Sequence, residues 1–519
     1  MPARRLLETI LALFLFAGVG AAIFLLAREW QERRSPAELL AREAIAVFAE
    51  ARLGAEEAAR WDSLFPEEKK FRAAGLADLL GKEFGSQLLA DAPKLLENAA
   101  LAISPRGEKL LALGEVPSAE ENLLRLRSAA DGEFFRVKGR PLVWQKEGGF
   151  LFLAESPAIL EKFLGGAAAD SLAEDLEFRR LRNSLPREDL FLFLAGKQAE
   201  GAGLERGVTS FALSGRAKEE GLKILSRSHF GGGAFDFGKV FSRLRPAADH
   251  SLAQFFPAGA PFFFSSADLP AALFDLKRFS EKLQPAETPH LLELLQLFAA
   301  ETSFSLEDFL SVADGAFAAG VFPDGSFLLA AKNDSSFLEE KVEELERILE
   351  EETPTLFPRF VEKLDPLMGV PEEGLEVAPA PERREFVVGG ELVTALTFFP
   401  GGRAEDPVEI AWSVRPDLLL LAAGKDAGAT ILQAVSQADS GGGLSSSKGF
   451  LAGARELREF RLDRLFLSPA FLFKKGFFAE LPSPAREFLT SFSSLSSGRN
   501  LLPQDSVGGW FLTTPTLGN

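Results

Sequence analysis

The chain has 519 residues, 46% of them hydrophobic and 25% charged, with 49 Phe, 5 Trp, 3 His and no Tyr or Cys. Lacking thiols and phenols, it excludes cysteine nucleophiles, disulfides, Cys-based zinc or iron–sulfur centres and tyrosine acid–base chemistry. A formal net charge of −18 opposes general binding of nucleic acid, since phosphate recognition needs a basic face.

Ile10 to Ala27 forms a run of eighteen uncharged residues, with Arg4 and Arg5 before it and Arg28, Arg33 and Arg34 after it. As a helix, eighteen residues rise about 27 Å, and Leu6 to Thr9 extend this to the roughly 30 Å of a bilayer core. The pattern predicts a single-pass transmembrane anchor over 1–35, in contact with membrane lipid through Ile10 to Ala27, with Trp30 at the interface and the large domain outside the cytoplasm. A cleaved signal peptide is the competing reading, but the apolar run continues through Ile23-Phe-Leu-Leu26. Residues 36–61 are expected to form a helical linker.

Beyond the linker the chain matches itself. Ser104-Pro-Arg-Gly107 with Leu110-Leu-Ala112 falls on Phe322-Pro-Asp-Gly325 with Leu328-Leu-Ala330 at an offset of 218. The same offset carries Ser118-x-x-Glu121, a capping box, onto Ser336-x-x-Glu339, and the helix after the second shows Leu338, Val342, Leu345 and Leu349 on one stripe. Upstream, Phe65-Pro66 falls on Phe256-Pro257 at 191 and Ala77-Asp-Leu79 on Ala267-Asp-Leu269 at 190. Downstream, Trp144 and Phe150-Leu-Phe-Leu-Ala154 fall on Trp412 and Leu418-Leu-Leu-Leu-Ala422 at 268, Leu172 and Phe178 on Leu444 and Phe450 at 272, Leu190-Phe191-Leu192 on Leu465-Phe466-Leu467 at 275, and Ser214-Gly215-Arg216 on Ser497-Gly498-Arg499 at 283. The shared order predicts a duplication, with a first α+β repeat over 62–250 and a second over 251–519 that carries a Pro-rich surface insertion at about 353–405. The expected fold class is α+β: an N-terminal transmembrane helix followed by two tandem copies of a mainly antiparallel sheet-plus-helices unit.

The run Phe256-Pro-Ala-Gly-Ala-Pro-Phe-Phe-Phe-Ser-Ser-Ala-Asp-Leu269, then Leu306-Glu-Asp-Phe-Leu310 leading into Ala313-Asp-Gly-Ala-Phe-Ala318, then Phe327-Leu-Leu-Ala-Ala-Lys-Asn-Asp334, resembles the bacterial domain-of-unknown-function family 3352. Gly149-Phe-Leu-Phe-Leu-Ala-Glu-Ser-Pro157 followed by Ser171-Leu-Ala-Glu-Asp-Leu-Glu-Phe178 is similar to the same family. The resemblance implies a bacterial, often membrane-anchored protein, here of the inner membrane. It assigns no activity and no catalytic residue.

Motifs that carry chemistry are weak. Gly233-Ala-Phe-Asp-Phe-Gly238-Lys239 has P-loop spacing, but Val240 stands where Mg²⁺ ligation needs Ser or Thr. Ser445-Ser-Ser-Lys448 meets the spacing of serine acyl enzymes inside a Gly/Ser-rich loop. His229, His250 and His290 fit no local metal-ligand spacing, and no carboxylate pair is singled out. Phe255-Phe256, Phe262-Phe-Phe264 and the run Phe471 to Phe478 read as core strands, with an apolar groove or a lipid or subunit contact as the alternative. The sequence therefore predicts no catalytic, cofactor-binding or metal residue and no cofactor. The expected function is that of a non-enzymatic, membrane-anchored envelope protein acting as a binding or scaffold module, with a protein partner in a membrane complex. A hydrolase using Ser or carboxylates, or a carrier of an apolar ligand, is the alternative.

Overall fold

The computed structural model describes residues 35–64, 98–114, 128–131, 134–137, 142–165, 170–186, 188–196, 208–230, 250–266, 316–332, 338–351, 381–388, 390–399, 407–460, 462–470, 489–502 and 505–514. The chain divides into two compact units, residues 1–58 with 71–212 and residues 59–70 with 213–519.

In unit 1 the elements are β1 (Val47–Ala51), α1 (Ala55–Ser63, which runs past the end of the first segment), β2 (Ala99–Ile103), β3 (Lys109–Gly114), β4 (Ser128–Asp131), β5 (Phe134–Val137), β6 (Val143–Glu147), β7 (Phe150–Ala154), α2 (Pro157–Leu164), α3 (Leu176–Ser184) and β8 (Leu190–Ala195). Its strands lie antiparallel in the order β8-β1-β2-β3-β7-β6-β5-β4. The chain passes into unit 2 along β9 (Val208–Lys218).

Unit 2 contains β10 (Gly221–Phe230), β11 (Phe262–Ser266), β12 (Phe317–Val321), β13 (Phe327–Lys332), α4 (Leu338–Glu351), β14 (Glu382–Val388), β15 (Glu391–Phe398), β16 (Val408–Arg415), β17 (Leu418–Gly424), α5 (Ala427–Ser440), α6 (Lys448–Glu456), β18 (Asp463–Leu467), β19 (Ser494–Leu502) and β20 (Asp505–Thr513). Its order is β18-β11-β12-β13-β17-β16-β15-β14, with β19, β20 and β10 continuing beyond β18.

Strand by strand, the eight positions of unit 1 recur in unit 2. The turns that join the central hairpins recur as well: the Gly107 N–H donates to Ser104 O and the Gly325 N–H to Phe322 O, both at 2.9 Å, with both glycines at positive φ. Ladder register gives the true offsets. For β2, β3, β12 and β13 the offset is 218, and for β7 and β17 it is 268, the values read from sequence. Val47 faces Ile103 as Phe262 faces Val321, so β11 answers β1 at 215, not at 190. Val47 also faces Leu194 as Phe262 faces Leu467, an offset of 273 where the sequence match gave 275. The alternating Leu-Phe pattern slides by two residues without exchanging faces, so composition alone does not separate these registers.

Two expectations about elements therefore change. Residues 36–61 hold two 3-10 turns, the sheet strand β1 and most of α1 instead of a helical linker. The proposed insertion at 353–405 contains β14 and β15, the counterparts of β4 and β5, so part of it belongs to the sheet and is no surface excursion. The capping Ser residues Ser118 and Ser336 lie outside the described residues.

The transmembrane and single-pass expectation is also corrected. Ile10 to Ala27 lies outside the described residues, and no helix among the described residues is long and apolar enough to cross a membrane. The longest, α4 and α5, have 14 residues each, about 21 Å of rise against a core of roughly 30 Å, and α4 is rich in Glu. What the described chain shows is a predominantly antiparallel sheet architecture with helices packed on it.

In both units one helical Phe is seated on two Phe residues of adjacent strands. Phe178 of α3 meets Phe48 of β1 at 5.7 Å and Phe193 of β8 at 5.1 Å, both edge-on, and in unit 1 Phe191 of β8 adds a third edge-on ring at 5.9 Å. Phe450 of α6 meets Phe263 of β11 at 5.6 Å and Phe466 of β18 at 5.9 Å, in the same way. All seven rings are buried. The cap fixes the seat: Asp175 Oδ1 accepts from the Phe178 N–H at 2.8 Å, and Ser447 Oγ accepts from the Phe450 N–H at 3.4 Å. One turn earlier, the Leu172 N–H donates to Leu40 O and the Leu444 N–H to Phe256 O, tying each helix start to the segment that precedes β1 or β11.

Close approach of α6 to the sheet depends on glycine. A Cβ on Gly453 would lie 2.5 Å from Ser496 Cβ of β19, and one on Gly449 2.9 Å from Ser494 Oγ. Gly453→Val is expected to lower unfolding free energy by about 1–3 kcal/mol in urea melts. Gly259→Ala, at a position with nothing within 4 Å, should stay within about 0.5 kcal/mol. Equal effects would contradict this packing.

Candidate functional site

Most of the sequence motifs do not become sites. Gly233 to Val240, His290 and Phe471 to Phe478 lie outside the described residues, as does the side chain of His250. In the Ser445 to Lys448 stretch, Ser446 Oγ donates to Gly443 O at 2.7 Å and Ser447 caps α6, so both hydroxyls serve the chain's own turns. Phe255, Phe256 and Phe263 belong to a packed core with Phe322, Phe450 and Phe466, and the Phe256 and Phe263 rings meet at 5.0 Å. Among the described residues no group of His, Cys, Asp and Glu is placed to hold a metal.

Buried charge is where the chemistry collects. In unit 1 Glu50, on an inward position of β1 and 3% exposed, accepts from Arg52 Nη2 and from Arg182 Nη2 of α3, each at 2.8 Å. The Arg182 guanidinium also lies 4.1 Å from the centre of the Phe191 ring. In unit 2 the paired residues His229 and Asp505 face each other across β10 and β20, with His229 Nδ1 and Asp505 Oδ1 at 2.8 Å and Arg227 on the other carboxylate oxygen. Glu409 of β16 is buried, accepts from the Gly428 N–H at the start of α5 at 2.9 Å, and pairs with Arg384. That partner raises the Arg384 guanidinium pKa. Arg464 of β18 is different: 5% exposed, it donates from Nη2 to Leu457 O at the end of α6, while its Nε and Nη1 are buried without a hydrogen-bond partner. Burial pushes its pKa down to about 10.

An exposed apolar pair lies on the hairpin of β14 and β15. Among the described residues β14 pairs with β15 alone, so it forms an edge of the unit 2 sheet. Near its tip Val387 and Leu392 are directly opposite each other and 70% and 54% exposed. The first four residues of the edge, Glu382 to Glu385, are all charged. Arg383 bonds Glu385 on its own strand and pairs with Glu346 and Glu350 of α4, which together raise its pKa further. Charges on an edge strand hinder indiscriminate strand addition, whereas an apolar pair left exposed on the same edge gives it a local contact point.

Sequence reading missed Glu50, Asp505, Glu409 and Arg464. The available signal was a charged residue sharing the parity of inward Phe residues, as Arg464 does with Phe466 in Asp463-Arg-Leu-Phe-Leu467.

No family model matches the chain, and no curated protein matches it. Among solved structures it is similar to crystal form I of the protein TP0453, at TM-score 0.25 and 11% identity over 41% of this chain and 84% of that one. Crystal form III of the same protein gives 0.24 and 12% over 41% and 88%. Likenesses at this level carry no argument about function.

Glu50→Ala would leave two arginines facing a buried, empty position and is expected to cost about 3–5 kcal/mol of stability, measured by chemical denaturation; a cost below about 1 kcal/mol would contradict the pairing. Burial, ahead of the opposing pull of Arg383, raises the Glu346 carboxyl pKa. A carboxyl raised on folding costs stability when ionised. The cost is absent below its unfolded pKa and complete above its folded one. Glu346→Gln should therefore be more stable than the parent at neutral pH and equal to it in acid well below the ordinary carboxylate range, as read by paired melts.

Proposed function

We propose that the protein is a non-enzymatic binding module whose partner is another protein, engaged along β14. The carrying observation is the edge itself: seven residues of strand with one described neighbour, fringed by charge and bearing the exposed Val387 and Leu392 pair. An extended segment laid against such an edge gains main-chain hydrogen bonds, and the apolar pair gives it a side-chain anchor. The buried carboxylates Glu50, Glu409 and Asp505 support the reading from the other side, since each is engaged by cations or backbone N–H groups of its own unit. A setting in the bacterial cell envelope is carried by the sequence resemblance alone.

A photo-reactive side chain placed at Leu392 of the full chain in its native cells is expected to capture a discrete protein adduct. Val387→Lys in the same chain should reduce that adduct about tenfold or more, as loss of an apolar anchor does, with the melting temperature unchanged. An adduct of undiminished yield in Val387→Lys, or none at all, would refute binding at this edge.

A further inference from the structure

The two units differ at one pair of equivalent positions beside the Phe seat. By ladder register Glu50 of β1 corresponds to Ser265 of β11, and Phe191 of β8 to Arg464 of β18. Glu50 faces Phe191 across its ladder, and Ser265 faces Arg464 across the other. In unit 1 the carboxylate is supplied by the chain and held by Arg52 and Arg182. In unit 2 the guanidinium stands on the strand itself, and the position of the carboxylate is taken by a serine.

Among the described residues, no side-chain carboxylate of unit 2 bonds to Arg464 in its place. The two acids that act on Arg464 through space, Asp463 and Glu459, are paired with Arg499 at 2.7 Å and with Lys223 at 3.0 Å. The Nη2 bond to Leu457 O leaves Nε and Nη1, which carry three of the five guanidinium N–H bonds, buried and unpartnered. Ser265 Oγ is likewise buried without a partner, and the next row of the same sheet face adds Ser496 Oγ. Gly498, opposite Arg464, lets the guanidinium pass: its Nη1 lies 3.0 Å from where a Cβ would stand. Donors of this kind, desolvated and facing small residues, suit an anion.

We propose that unit 2 binds a small monovalent anion, of halide or formate size, between Arg464 and Ser265, in the role that the Glu50 carboxylate fills in unit 1. The anion accepts hydrogen bonds from Arg464 Nε and from the Ser265 hydroxyl, while Nη1 lies on the Gly498 side of β18. Close packing of α6 and Phe460 over this face limits its size.

The test melts the full-length protein in sodium chloride, sodium formate and sodium gluconate at equal ionic strength. Chloride and formate are expected to raise the melting temperature over gluconate by about 2–4 °C. Ser265→Glu, which supplies the carboxylate from the chain, and Arg464→Met, which removes the guanidinium, should both abolish the difference. In crystals grown with bromide, an anomalous peak should lie within hydrogen-bond distance of Arg464 Nε and Ser265 Oγ. An unchanged melting temperature across the three salts in the parent, or an anion response of full size in Arg464→Met, overturns the proposal.

Discussion

A helical phenylalanine locked edge-on between two phenylalanines of neighbouring strands is the contact on which both units are built. Each such side chain contributes about 1.5–3 kcal/mol by burial, and edge-to-face pairs add about 0.5–1.5 kcal/mol. The seat also fixes topology. Phe48 and Phe193 meet Phe178 only because β1 runs between β2 and β8, and Phe263 and Phe466 meet Phe450 only because β11 runs between β12 and β18. At these six buried positions a phenol would carry a hydroxyl into the core, at a cost of about 1–3 kcal/mol wherever it found no partner. The seat therefore gives part of the Phe excess a structural reason.

Around this shared seat the units have diverged in where they place charge. Unit 1 buries an acid on the strand and brings its base from the helix, so the pair also clamps α3 to the sheet. Unit 2 buries a base on the strand and uses it to bond the last turn of α6, where a cation is favoured by the helix dipole. Unit 2 further extends its sheet through β19, β20 and β10, and at its other edge carries the exposed hairpin of β14 and β15. That edge, paired on one side among the described residues, is the feature the proposed binding rests on.

The legible parts of the fold were those whose residues repeat in type. Phe150 to Ala154 and Leu418 to Ala422 are apolar throughout because both faces of β7 and β17 are covered, and the Gly turns at Gly107 and Gly325 announce their hairpins. β1 was illegible for a physical reason: Val-Phe-Ala-Glu-Ala is five residues long and places a carboxylate inward, so its apolar signal reduces to Phe48 and its neighbours. Arg464 was hidden similarly, since an inward arginine looks like a solvent-facing one until its strand has neighbours on both sides. The edge at β14 was hidden by Pro-rich sequence before it, which reads as loop.

β1 completes the first Phe seat, which places the start of the first structural unit ahead of Asp62. Hydrogen exchange on a chain of residues 62–519, compared with one of residues 35–519, tests this directly. Amides of β2 and β8 are expected to lose their protection in the shorter chain while those of β12 and β18 keep it. Equal protection of β2 and β8 in both chains would contradict that placement.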